Sequence, residues 1–287
     1  MISNLNKSNN LENMINLNDS KNSKSDSDIQ IIKDTQLTLD SNLEDFLDCD
    51  VKDLDIFLEN NKMTLKKKYI RKNNEEFMFI SNNNTDNNDK ILNFFRSLIY
   101  VKKNDRYILL NYTYSNIKIY SEKDYTNNII KLNKDDELYE GFEGTTISCF
   151  NYNDIWYYTT TKCIDMFESY FHDKMSYGNM FMEILGCENL NNFEDMMDKN
   201  NNYYFIIIHH KNKNLVDYTL KFGKNYKKII YIGSKNKLSM IENENDNFSN
   251  KFMDKGYINL IDYKTTKINK NQLNQLDFRY NNYNGLL

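Results

Sequence analysis

The sequence predicts an α+β domain with a central antiparallel sheet, preceded by a disordered tail. Three observations point there. Runs of β-branched and aromatic residues recur at strand length from Phe77 to Ile232. Two stretches, 41–60 and 175–185, keep the spacing of amphipathic helices. Residues 1–40 hold Asn, Ser, Asp and Lys with scattered Leu and Ile and no aromatic, so they bury too little surface to offset the entropy of ordering.

Along the chain, Ser41 and Glu44 have the spacing of a capping box. Leu43, Phe46, Leu47, Leu54, Phe57 and Leu58 then recur on one face of an acidic helix over 41–60. That helix either packs on its own domain or docks a protein partner. The basic run 66–72 is a solvated strand or loop, or a nucleic-acid contact. Residues 77–80 form a strand and 81–89 a polar loop. Strands follow at 107–114 and 117–120. Residues 145–161 make a hairpin around the turn 151–154. The helix over 175–185 turns Tyr177, Met180, Phe181, Ile184 and Leu185 to its apolar side. Residues 205–208 and 229–232 are buried strands, and Gly223 and Gly233 fall at turn positions. No internal repeat interrupts this order.

The length of 287 residues suits one large domain with a tail. The chain has no proline, no alanine, 49 asparagines and only four arginines. An AT-rich genome imposes such biases, so the asparagines say little about local function. A hydrophobic share of 40% is enough for a core, and the net charge of −4 excludes nucleic-acid binding through a global basic excess while leaving a local basic groove open. Cys49, Cys149, Cys163 and Cys187 lack CxxC spacing and form no zinc pattern with the three histidines, which suggests reduced thiols. The N-terminus is polar, and no apolar run approaches the roughly 20 residues that span a bilayer. The expectation is an intracellular, cytoplasmic protein without a membrane segment.

Three segments carry the functional signal. Arg96-Ser-Leu-Ile-Tyr100 comes first. Gly141-Phe-Glu-Gly-Thr145 follows and runs on to Trp156-Tyr-Tyr-Thr-Thr-Thr-Lys162. Phe205 to Val216 is last, with Lys213-Asn-Leu-Val216 at its end. In this order and at these intervals, residues 62–287 resemble the nucleotide-binding core of phage-type RNA ligases and of ligase-like proteins of large DNA viruses. The resemblance implies a ligase/capping-enzyme-type nucleotidyltransferase domain. Such enzymes attack the α-phosphate of ATP or GTP with a lysine amine, which must be deprotonated, while carboxylates hold a divalent metal.

The resemblance also exposes departures. Ser97 stands where the family has Gly. Glu143, Gly144 and Thr145 fit the nucleophile motif, but Gly141 occupies the position of the lysine itself. The family's acidic position in the third segment falls on Ile206 or Ile207, and Asn284 in Tyr283-Asn-Gly-Leu-Leu287 replaces a Glu. The family's last Lys-x-Lys motif and a C-terminal domain are expected to be missing. By the resemblance, Lys162 is the stand-in nucleophile, and Arg96, Glu143, Gly144, Thr145, His209 and Lys213 surround a nucleotide or RNA end. ATP and Mg²⁺ would be cofactors of an active protein, and no protein metal site is expected.

Plainer roles stand beside these. Glu143 can belong to an ordinary turn, Lys162 to an exposed strand, and Trp156 to the core rather than a stacking platform. His209 suits a satisfied surface site, and Asp165 and Glu168 suit solvent. Arg96, scarce in a lysine-rich chain, suits bidentate contact with a phosphate or carboxylate. The resulting expectation is an RNA-ligase-like protein that binds a nucleotide or RNA end and is catalytically impaired. The alternative is a non-catalytic interaction or virion component that retains the fold.

Overall fold

The computed structural model describes residues 46–63, 65–82, 96–113, 138–170, 174–212, 214, 216–244 and 246–268. The tail at 1–40, Ser41, the loop from 83 onward, the strand at 117–120, Lys213 and 283–287 lie outside the described residues.

The fold is α+β with mainly antiparallel sheets, as expected, and the strands fall into two five-stranded sheets. The first runs in the order β1-β5-β4-β3-β2, from β1 (Asp48–Asp50), β2 (Leu65–Lys72), β3 (Glu75–Asn82), β4 (Arg96–Lys103) and β5 (Arg106–Asn111). A two-residue strand β6 (Leu138–Tyr139) pairs with β12 (Lys267–Ile268). The second sheet runs β11-β10-β9-β7-β8. It comprises β7 (Thr145–Tyr152), β8 (Ile155–Thr160), β9 (Asn201–His209), β10 (Lys227–Asn236) and β11 (Leu260–Asp262). All pairings are antiparallel except β10 with β11.

Hairpin turns explain part of the asparagine content. Asn73 and Asn74 join β2 to β3, and Asn153 and Asp154 join β7 to β8, all four with positive φ. That is the two-residue turn whose twist matches a hairpin, and Asn and Asp tolerate it better than other side chains. The turn expected at 151–154 is therefore two residues long, because Asn151 and Tyr152 still pair with Trp156 and Ile155.

The helix expected over 41–60 is interrupted within the described residues, with Phe46 and Leu47 helical before a short strand. Asp48–Asp50 pairs with β5 as a strand, and Asp50 caps α1 (Val51–Asn60) by accepting from the Lys52 amide at 2.9 Å. Leu54 and Leu58 are buried against Met78, Tyr100 and Tyr107 on the outer face of the first sheet. On the second sheet, α2 (Tyr177–Leu185) starts at the Ser176 cap and ends at Gly186, in the left-handed region. Its Met180, Phe181 and Ile184 pack on Ile147, Phe205 and Ile207. Each such fully buried side chain contributes roughly 1.5–3 kcal/mol.

Between the sheets, Phe77, Phe79, Ile99 and Val101 meet Phe150, Tyr152 and Tyr157. A polar seam crosses the same interface. The Asn111 amide donates to Ser148 Oγ at 2.7 Å, and the Tyr204 hydroxyl donates to Asn111 Oδ1 at 3.0 Å. Asn202 donates to the Leu110 carbonyl at 2.9 Å. These bonds fix how the sheets face each other, because a register slip would strand several buried polar groups. Among the described residues, no helix is long and apolar enough to cross a membrane.

Candidate nucleotide site

The segments singled out in the sequence converge on one end of the sheet pair. Ser97 follows Arg96 at the start of β4 and has a φ of 86°. It is the bulged residue, since Ser81 pairs with Arg96 and Ile80 with Leu98. A glycine would adopt this conformation without strain, which gives a physical reason for Gly in the resembling motif. Ser97 compensates with its hydroxyl, which donates to the Thr161 carbonyl at 2.6 Å. That bond joins the first sheet to the residue before Lys162. Lys162 is exposed and lies beyond the end of β8 in a bend, not in the strand expected for it.

Thr145 opens β7 opposite Ile207 of β9. A Cβ at Gly144 would sit 2.4 Å from the Ile207 carbonyl oxygen and 2.7 Å from Ile206 Cγ2, so only glycine lets the two chains approach. Glu143 is not an open ligand for metal or ribose. Its Oε2 accepts from the Val216 amide at 3.4 Å. The Tyr218 hydroxyl accepts from the Glu143 amide at 2.6 Å and lies 3.1 Å from its carbonyl, to which it also donates. Lys221 of α3 (Thr219–Phe222) forms an ion pair with Glu140 and lies 4.8 Å from the Phe142 ring centre, while Phe222 stacks on Phe142. Residues 216–222 thus close over 140–143. Gly141 is buried beneath this closure, and Ile206 packs into the same apolar cluster. Ile207 faces the other way, into the core under α2.

His209 corrects an expectation. It is fully buried, not a surface residue, because it shares the inward face of β9 with Phe205 and Ile207. Its Nδ1 accepts from the Lys211 amide at 3.1 Å. Burial first, then the neighbouring His210, lowers its pKa to about 4, so the ring is neutral near pH 7 with its proton on Nε2. Nε2 lies 3.5 Å from Glu183 Oε2, too far and uncharged to count as an ion pair. Glu183 is paired instead with Lys227, and that contact holds its carboxyl below the usual range. Asn212 donates to Thr145 Oγ1 at 3.1 Å. The buried His209 Nε2, Glu183 Oε2 and Asn212 Oδ1 have no hydrogen-bond partner.

Thr145, Gly144, Glu143 and His209 are therefore gathered at one end. Arg96 begins β4 at that end, and Lys162 follows Thr161, which the Ser97 hydroxyl holds there. Glu183, Lys227 and Asn212 belong to the same cluster, and sequence reading missed them. Asp165 is not merely solvated: it forms an ion pair with Lys72 and accepts from the Phe167 amide at 2.9 Å. Among the described residues, no group of three His, Cys, Asp or Glu is arranged to hold a metal ion. The carboxylate nearest the motif, Glu143, accepts from the Val216 amide through one oxygen.

No family model matches the chain, and no curated protein matches it. One solved structure similar to it is described as "Putative ATP-dependent DNA ligase from Aquifex aeolicus". The TM-score is 0.39 at 11% identity, and the match covers 72% of this chain and 48% of that one. The chain thus spans about half the length of that structure.

Proposed function

We propose that the chain is a ligase-type nucleotidyltransferase-fold protein that binds a nucleotide or an RNA end without forming a covalent nucleotide adduct. The observation that carries this reading is the closure of 140–143 by 216–222. Attack on an α-phosphate needs an amine free to reach it. Gly141 has none, and Tyr218, Val216 and Lys221 hold the segment around it. Lys162 is the remaining lysine of the motif. It is exposed and makes no ion pair among the described residues, which supports phosphate contact better than nucleophilic attack. Docking through 41–60 has less to offer, since Leu54 and Leu58 are used inside the domain.

The test is incubation with α-labelled ATP, then GTP, with Mg²⁺ or Mn²⁺, followed by a denaturing gel. The expected result is no acid-labile label, together with nucleotide-dependent thermal stabilisation. That stabilisation amounts to about 2.7 kcal/mol at ligand 100-fold above Kd. A label that disappears in Lys162→Ala would overturn the non-covalent reading. Absence of any thermal shift would overturn nucleotide binding.

A further inference from the structure

Among the described residues β2 is an edge strand, with five cations in eight residues in a chain whose net charge is −4. Three of the five face acidic groups. Lys67 pairs with Asp55 of α1 at 3.0 Å, Lys72 pairs with Asp165, and Arg71 lies across from Glu76. Lys66 and Lys68 are exposed and have no acidic partner among the described residues. Because Lys67 points to α1, alternation turns Lys66 and Lys68 to the opposite face. That is the face on which Ile70 packs with Phe77 and Tyr157, between the sheets. Lys66 and Lys68 are about 6.7 Å apart along the strand.

The row leads to defined places at both ends. At one end, Lys66 pairs with Ser81 and Ser81 with Arg96, next to the Ser97 bond that holds Thr161 and Lys162. At the other end, Lys72 joins Trp156, Tyr158, Phe167 and Leu190 around a cavity of about 340 Å³. Trp156 is half-buried against the core and presents the rest of its ring to this cavity. Asp165, Glu188 and Glu194 also line it. These carboxylates repel phosphate. Asp165 is engaged by Lys72 and the Phe167 amide, and Glu194 by the Tyr158 hydroxyl, so it is the exposed Glu188 that is placed to accept a hydrogen bond from the exocyclic amine of adenine, cytosine or guanine. Cations that track a backbone beside an aromatic platform for a base are the recurring arrangement for single strands.

We propose that a single-stranded polynucleotide lies along the face of β2 that carries Lys66, Lys68 and Ile70, with phosphates on Lys162, Lys66 and Lys68 and one amino-bearing base in the Trp156 cavity. This deepens the reading above, which supplies the strand end beside Arg96 and Lys162.

Trp156 is the sole tryptophan, so its emission reports occupancy of the cavity directly. The full chain is titrated with short oligo-A and oligo-U, as RNA and as DNA. Oligo-A is expected to quench Trp156 and to bind more tightly than oligo-U. Lys66→Glu with Lys68→Glu is expected to weaken oligo-A binding at least about tenfold and to flatten its salt dependence. Lys66→Gln with Lys68→Gln should give a smaller loss of the same sign, with melting temperature confirming that both variants fold. Preference for RNA or for DNA identifies the natural source, and either supports the proposal.

Unchanged affinity in the reversed-charge variant, or binding without quenching, would overturn it. So would polyglutamate competing as well as oligo-A, which would mark an acidic protein as the occupant. ATP-dependent stabilisation is measured on the same variants. Its absence with oligo-A binding intact would sink the nucleotide-site reading alone, and the converse would sink this one alone.

Discussion

The two ends of the β9–β10 ribbon both bury a titratable side chain, and they do so differently. At one end His209, fully buried, faces α2 beside Glu183, Lys227 and Thr145, all at least partly open to solvent. At the other end Lys235, equally buried, faces the first sheet, with its Nζ 3.8 Å from the Tyr112 ring centre and 5.2 Å from that of Tyr204. Burial lowers the Lys235 pKa to about 7, against a smaller upward pull from Glu242. Aromatic faces accept a cation. Both ends leave a buried polar atom without a hydrogen-bond partner, His209 Nε2 at one and Asn202 Oδ1 at the other, but only the His209 end sets it next to accessible charges. The Lys235 end is a sealed joint that holds two sheets together.

Substitutions can break this contrast. The largest effect is expected from Gly144→Ala at the His209 end. The added methyl meets backbone, and β7 must move off β9, at a cost of about 3 kcal/mol by denaturant midpoint. The variant should also lose any nucleotide response. At the joint, Asn111→Ala leaves Ser148 and Tyr204 short of a partner and should cost about 2 kcal/mol. Nucleotide response should survive that change. If it does not, the two ends are coupled.

The pH dependence separates the ends further. For Lys235 the unfolded chain holds its proton up to the ordinary 10.5, whereas the folded chain releases it near 7. Stability should therefore rise with pH across that window, by up to about 1.4 kcal/mol per unit, and Lys235→Met should remove the slope. For His209 the folded pKa of about 4 lies below the ordinary 6.5, so stability should fall as pH drops from 6.5 towards 4. His209→Gln should flatten that lower window and leave the upper one untouched. Thermal melts across pH check both. The smallest effect is Tyr218→Phe, about 1 kcal/mol, with faster hydrogen exchange at the Glu143 amide.

The sequence carried the order of strands and the location of the motifs because both are local signals. Period-2 apolar runs marked β9 and β10, and Glu143-Gly-Thr marked the start of β7. The same alternation, extended two residues past Ile207, already turned His209 inward. Lys162 was harder, because β8 ends at Thr160 and the bend after it is set by contacts with Cys163 and Ser97. Glu183 lies on a helix read only for its apolar face; its partner Lys227 comes from β10 and its neighbour His209 from β9. Lys235 reads as one more surface lysine until Tyr112, over a hundred residues earlier, closes over it. Such pairings depend on tertiary packing, which no short window records.

Strand neighbours differ in how far apart in sequence they lie. β2 with β3, β4 with β5, and β7 with β8 are each joined by two-residue turns, whereas β1 must find β5 across 51–105 and β7 must find β9 across β8 and some forty further residues, 161–200. Closing these longer loops before their contacts form makes pairing across them the slower step of refolding. With no proline in the chain, no isomerisation phase should trail it. Trp156 sits on β8, so its recovery should follow one exponential that lags behind formation of the first hairpins.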